Sequence, residues 1–344
     1  MQYRTKKKIF RGIYTGLILT AFSFAGLLYF QNQRATTATA EKCEQEGDLH
    51  FDSLVQLIEE ELSDITRPAH QYVANVFTPG FDYHNEELLY SNLEKIVSEN
   101  SDISGAIIGF EDEEFPGYAD TPGGYGPLVR QQDSILTRIQ AGATRNFKVL
   151  DWYANVDGST GPMWSRPFFS NDKDSILIST YAIPLFNKDS KIFGKFGIDM
   201  NLNRLNEIIL GFNPYPSSTV TLIHKDLTIL AHHNKSYVMR KTLPEIMRRI
   251  GINPNNHPMY HAADGTKGHI EDYLGSKKMY FYYSPIKETP WVVLLYCPYD
   301  EIMEELHTLK QNTLHTAMAG FAVILFLLII TAVIKGRVLN DGGR

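Results

Sequence analysis

Two uncharged apolar runs stand near the ends of this chain, and they constrain everything between them. Residues 12–30 and 316–334 are each about 19 residues long without a charged side chain, enough to cross the roughly 30 Å hydrocarbon layer as a helix. Arg4, Lys6, Lys7, Lys8 and Arg11 precede the first run, and Lys335 and Arg337 follow the second. Positive charge at the outer flank of both predicts a two-pass protein with residues 1–11 and 335–344 cytoplasmic and residues 31–313 across the membrane. A cleaved signal peptide is the rival for the first run, with Ala38-Thr39-Ala40 as the cleavage site. That site lies about ten residues beyond the apolar run, and the run is long for a signal core. For the second run, the abrupt Lys335 argues for a span over a buried core helix.

The region between the runs reads as α+β. Residues 41–78 form a stalk helix in which Leu54, Val55, Leu57, Ile58, Leu62 and Ile65 recur at helical spacing among acids, with a kink at Pro68 and an end at Pro79-Gly80. A helix of this kind serves as a dimer interface or as an ordinary surface helix. Residues 86–100 are a second helix, with Leu88, Leu89, Leu93, Ile96 and Val97 on one side, and 103–110 a buried strand. The loop 111–127 carries Tyr118 and Tyr125 and reads as a pocket cover or a plain solvated loop. Residues 134–141 are short and helical in pattern.

The stretch 152–205 organises the rest. An aromatic cluster of Trp152, Tyr153, Trp164, Phe168 and Phe169 precedes two β-rich runs, 176–184 and 191–201, joined through the turn residues Asn187-Lys188-Asp189-Ser190. A helix follows with Asn201 or Asn203 as its cap. After the break at 213–218, strands at 220–224 and 228–231, a helix at 241–249, and strands at 269–274, 279–284 and 291–297 make a second, smaller unit with an antiparallel sheet. Asp300 caps a last helix carrying Ile302, Met303, Leu306 and Leu309. No Pro or Gly separates it from the second span, so the last strand, this helix and the span are expected to form one rod.

Trp152, Tyr153, Trp164, Tyr181 and Tyr118 are candidate pocket residues, although aromatics in such a unit also serve as core. Asp199 is an acid inside a β-rich run. Burying an unpaired carboxylate costs several kcal/mol, so it has a partner, either a ligand or the backbone. His257 and His261 stand i, i+4, with His232-His233 not far off, but Pro258 argues against a helix through that spacing, and no metal or cofactor is expected. Cys43 and Cys297 are candidates for a disulfide in an oxidising compartment. A net charge of −6 gives no basic field for nucleic acid. No Ser-His-Asp spacing, Walker loop, HExxH or CxxC motif is found, so the chain is not read as an enzyme.

These residues resemble a double-Cache sensor, the extracytoplasmic input module of bacterial transmembrane signal transducers. The resemblance covers residues 41–313 and rests on Trp152-Tyr153, on Trp164-Ser165-Arg166-Pro167-Phe168-Phe169, and on Thr180-Tyr181-Ala182-Ile183-Pro184. Gly197-Ile198-Asp199-Met200-Asn201-Leu202, Leu222-Ile223-His224-Lys225-Asp226 and the closing hairpin through Trp291 complete it. The style is most similar to modules attached to sensor histidine kinases and PPM-type serine phosphatases. It implies two PAS-like units, a membrane-distal one at 79–212 and a membrane-proximal one at 217–298, joined by residues 299–313 to the second span at 314–334, with the ligand in the distal unit. In the amino-acid-binding branch an Arg two residues before the Trp clamps the ligand carboxylate and an Asp takes the ammonium. Leu150 occupies the Arg position here and Asp199 the Asp position. Arg130 or Arg145 could substitute, but an amine or neutral ligand against Asp199 and an aromatic wall is favoured over an amino acid.

The resulting expectation is a receptor in the bacterial inner membrane, surrounded by lipid and homodimeric, that binds a small extracellular ligand. It signals as the input part of a larger transducer or through a separate cytoplasmic partner. The alternative is an extracytoplasmic scaffold with an empty Cache-like fold that binds other proteins.

Overall fold

Short segments buried along nearly their whole length, such as the β-rich runs 103–110, 177–186, 192–201 and 291–298, build two antiparallel sheets covered by helices. The computed structural model describes residues 2–78, 80–132, 135–157, 161–170, 176–254 and 263–340. The elements of the first half are α1 (Gln2–Val76), α2 (Glu86–Glu99), β1 (Ile103–Phe110), β2 (Pro127–Gln132), β3 (Ile135–Gln140) and α3 (Asp151–Ala154). The short β4 (Met163–Trp164) and β5 (Phe168–Phe169) lead into β6 (Leu177–Phe186), β7 (Ile192–Asn201) and α4 (Asn203–Gly211). The second sheet brings β8 (Thr219–His224), β9 (Ile229–Ala231), α5 (Leu243–Arg249), β10 (Gly268–Leu274), β11 (Lys277–Pro285) and β12 (Trp291–Pro298). The chain closes with α6 (Tyr299–Ile302) and α7 (Glu304–Asn340). The first sheet runs β3-β2-β1-β7-β6-β4 with β5 also on β6, and the second β10-β11-β12-β8-β9.

Residues 50–297 form one compact unit. Within it α1 buries Phe51, Leu54, Ile58, Leu62, Ile65, Ala69 and Tyr72, a stripe at intervals of three and four that matches the helical repeat. Leu57, on another face, stays 45% exposed. Tyr72 stacks on Phe196 of β7 with ring centroids 4.6 Å apart. The helix runs through Pro68 without interruption.

Residues 1–49 and 298–344 form the other unit. Its parts of α1 and α7 contain helical stretches long and apolar enough to cross a membrane, and no residue of those stretches is buried. Phe24 and Phe321 meet edge to face at 6.4 Å, and Lys42 pairs with Glu305 at 2.7 Å.

Four sequence expectations are corrected. Residues 135–140 are a strand, not a helix, because they pair with β2 along their whole length. Neither Asn201 nor Asn203 is the cap of α4. Leu202 stands at that position, and Asn201 instead accepts the Asn203 N–H through its side chain at 2.9 Å. The final helix is not one rod from Asp300, since α6 ends at Ile302 and Met303 separates it from α7. Cys43 and Cys297 are both buried thiols with no disulfide between them, and burial pushes the Cys43 thiol upward in pKa. His257 and His261 lie outside the described residues.

The second sheet carries a pH-dependent weakness. His232 is 3% exposed, and its Nδ1 accepts the Asn234 N–H at 2.9 Å, so the ring is held neutral. Burial, with His233 alongside, pushes its pKa from 6.5 down to about 4. The unfolded chain therefore binds a proton more readily than the folded one across that interval. The stability present above pH 6.5 is lost as pH falls through about 4. Thermal unfolding of the full chain at stepped pH, compared with His232→Gln, is expected to show about 2 kcal/mol less acid sensitivity in the variant. Identical pH slopes would remove His232 from this role.

Candidate functional site

The register of the first sheet assembles a pocket floor from two cross-strand rows. One row is apolar: Ile139 on β3 pairs with Leu128 on β2, Leu128 with Ile107 on β1, Ile107 with Gly197 on β7, and Gly197 with Ala182 on β6. The next row is polar: Arg130 on β2 pairs with Gly105, Gly105 with Asp199, and Asp199 with Thr180 on β6. Alternation along β7 puts Lys195, Gly197 and Asp199 on this face and Phe196, Ile198 and Met200 on the other.

The roof is the segment from Ala141 to Trp152, with Arg166 to Ser170 beside it. Together floor and roof enclose a cavity of about 600 Å³, lined among others by Phe147, Leu150, Trp152, Phe168, Arg130, Arg145 and Asp199. That size suits a small molecule. Trp152 can sit low because Gly197 lies beneath it. A Cβ there would meet Trp152 at 3.3 Å and Thr180 at 3.0 Å.

Asp199 is 7% exposed. The Thr180 hydroxyl donates to its Oδ1 at 2.6 Å, and Arg130 Nη2 lies 3.9 Å from its Oδ2. The carboxylate thus has local partners while facing the cavity. Arg145 stands exposed in the lining, with no hydrogen-bond or ion-pair partner among the described residues. A guanidinium in that position can take a carboxylate through paired N–H donors.

Of the six residues singled out from sequence, Trp152 and Asp199 line this cavity and the other four do not. Tyr153 faces away from it. Its hydroxyl donates to Glu111 at 2.8 Å, its carbonyl accepts from Lys195 Nζ at 2.6 Å, and that ammonium lies 4.2 Å above its ring. Burial lowers the Lys195 pKa, and burial with Glu111 raises that of Tyr153. This cluster anchors α3 and thereby holds Trp152. Trp164 pairs with Tyr181 on the opposite face of the sheet from Asp199, where the Tyr181 hydroxyl meets His70 Nε2 at 2.9 Å. Burial there pushes the Tyr181 pKa up to about 12. Tyr118 donates to Glu86 at 2.6 Å and packs on Tyr125 at 4.6 Å.

Residues the sequence reading did not single out include Leu128, Ile139, Phe147 and Thr144. Once β3 is paired with β2, Ile139 and Leu128 follow from alternation. Phe147 opens a 3-10 turn (Phe147–Val149) and Thr144 caps the end of another (Ala141–Ala143), both too short to leave a periodic signal.

Residues 89–207 match the model of the first PDC sensor domain of methyl-accepting chemotaxis protein-like sensors. No curated protein matches the chain at a significant level. Among solved structures, the chain is similar to the extracellular domain of mmHK1S-Z3, described as a histidine kinase. The two are 14% identical over 76% of this chain and 98% of that one, with a TM-score of 0.59. It is also similar to the ligand-binding domain of the Pseudomonas fluorescens chemoreceptor CtaA, solved with L-isoleucine, at 16% identity over 78% and 98% of the two chains and a TM-score of 0.55. The periplasmic sensory domain of the Campylobacter jejuni chemoreceptor Tlp1 aligns at 16% identity over 73% and 93%, with a TM-score of 0.53. The match of residues 89–207 to that sensor model, with the long first helix and the two antiparallel sheets, gives this chain the fold of these extracellular sensor domains.

Proposed function

We propose that the chain is a two-pass membrane sensor that binds a small zwitterion in the cavity of the first sheet. Residues 31–313 lie outside the cytoplasm and both termini inside it, in keeping with the flanking Lys and Arg residues. The observation that carries the reading is the polar row at the end of an apolar cavity. Asp199 offers acceptor capacity for an ammonium group, and Arg130 and Arg145 offer donors for a carboxylate. Leu150 removes one arginine from the position the resemblance favours, yet the cavity holds others. The relative solved with L-isoleucine supports the same class. A second reading, an amine without a carboxylate, draws on Asp199 and the wall of Trp152, Phe147 and Phe168. The α1 stalk serves a homodimer in this reading, and output passes through a cytoplasmic module or partner.

Thermal unfolding of the full chain in lipid nanodiscs with L-isoleucine, 4-aminobutyrate, putrescine and succinate tests it. A compound at about 100 times its Kd adds about 2.7 kcal/mol, a shift of several degrees. Zwitterions are expected to stabilise the protein. Asp199→Asn should weaken binding by about tenfold or more, since a charge-assisted bond is lost, and Arg145→Ala by less. Stabilisation by putrescine alone favours the amine reading. No shift with any compound counts against a sensor of this class.

A further inference from the structure

Arg166 belongs to two places in the fold. Its backbone N–H donates to Asp151, and the residue lies in the lining of the cavity in the first sheet. Its Nη2 lies 2.8 Å from Asp226 Oδ2, in the turn between β8 and β9 of the second sheet, and 3.4 Å from the Thr228 hydroxyl. Asp226 is itself fixed, because its Oδ1 accepts the Thr228 N–H at 3.0 Å and lies 3.0 Å from His224 Nδ1. The guanidinium therefore ties the cavity rim to a strand turn of the other sheet. His224 pairs with Trp291 of β12, the strand from which the chain continues into α6.

We propose that Arg166 is a ligand-reading residue whose charge Asp226 withholds, so that a carboxylate entering the cavity competes with Asp226 for it. The inference rests on the pocket reading above. A guanidinium carries one positive charge, and two carboxylates that share it each hold it less strongly than one alone. The side chains of Arg166 and Asp226 are 56% and 36% exposed, and pairs this solvated hold little stability of their own. The bond is therefore weak enough for a bound anion to displace, and displacement unties the β8–β9 turn from the cavity rim. Arg166 thus sets both affinity for the carboxylate group and the state of the second sheet.

The test is isothermal titration of the full chain in nanodiscs with L-isoleucine, 4-aminobutyrate and succinate. The proteins compared are the parent, Asp226→Asn, Arg166→Gln and the double variant. Asp226→Asn keeps the side-chain oxygen that accepts the Thr228 N–H, and thermal unfolding checks that each variant is folded. Removing one competing charge near a partly solvated guanidinium is expected to tighten carboxylate binding about fivefold. Arg166→Gln weakens it, and in that background Asp226→Asn changes nothing. Unchanged or weaker binding in Asp226→Asn overturns the competition while leaving the pocket reading intact. Equal tightening in the Arg166→Gln background also overturns it, since the effect then bypasses Arg166. Absence of binding by any of these probes to all four proteins overturns both.

Discussion

Trp291→Ala is expected to destabilise the full chain by about 3–5 kcal/mol, lowering its thermal midpoint by roughly ten degrees. The indole is 1% exposed, at the start of β12, and packs on Trp164 with ring centroids 5.2 Å apart. Trp164 belongs to the first sheet and Trp291 to the second, so this contact is part of what joins them into one unit. Truncation leaves a cavity that the flanking strands cannot close. The Trp291 Nε1 is buried and has no hydrogen-bond partner among the described residues, which carries a cost of about 1–3 kcal/mol. Trp291→Phe removes that orphan donor while keeping most of the packing, and is expected to lose no more than about 1 kcal/mol. Equal losses in the two variants would show that the donor has a partner after all and that packing is not the main contribution.

Gly109→Ala is expected to cost about 1–3 kcal/mol and to abolish ligand binding in the first-sheet cavity. A Cβ at Gly109 would stand 2.5 Å from Phe147 and 2.6 Å from Tyr153. Both rings are buried, so neither can swing away as a flexible chain end could. The roof segment must lift, and Trp152 lifts with it. Gly117→Ala provides the comparison, because no atom lies within 4 Å of a Cβ added there, and such a change is expected to stay within about 0.5 kcal/mol. Thermal unfolding and titration of both variants check the pair. A Gly109→Ala protein with parental stability and affinity would mean that the roof is looser than its packing indicates.

The strand pair that organises the first sheet was legible because two β-rich runs flank a set of turn residues. The reading of 176–184 and 191–201 meets β6 and β7 to within two residues at each end. β3 was not legible. Its Ile135, Leu136 and Ile139 sit at spacings a helix also uses, and it is an edge strand with a mixed burial pattern. Only pairing with β2, and the clasp of Arg138 by Glu87 and Glu94 of α2, decides its state. Trp152 and Tyr153 could not be separated from sequence, because neighbours on a helical turn point about 100° apart and nothing local says which one meets the sheet face. Tyr181 was separable in principle. Once Thr180 is set opposite Asp199, Tyr181 falls on the other face, as one residue of offset demands. The arginines were visible as residues but not as neighbours, since Arg130 and Asp199 meet only through strand order and Arg145 reaches the same cavity from the roof segment.

Gly105 stands between Arg130 and Asp199 as a bare rung of the sheet. Strands lie about 4.8 Å apart, so the two flanking backbones are separated by about 10 Å, while their charged ends already approach to 3.9 Å. A molecule inserted between those ends would act as a tie-bar over β1, bonded to the strands on either side of it. Its length would then be transcribed into the spacing and twist of β2 against β7. The sheet would serve as a gauge, and β1 would register the ligand without contributing a side chain at that rung.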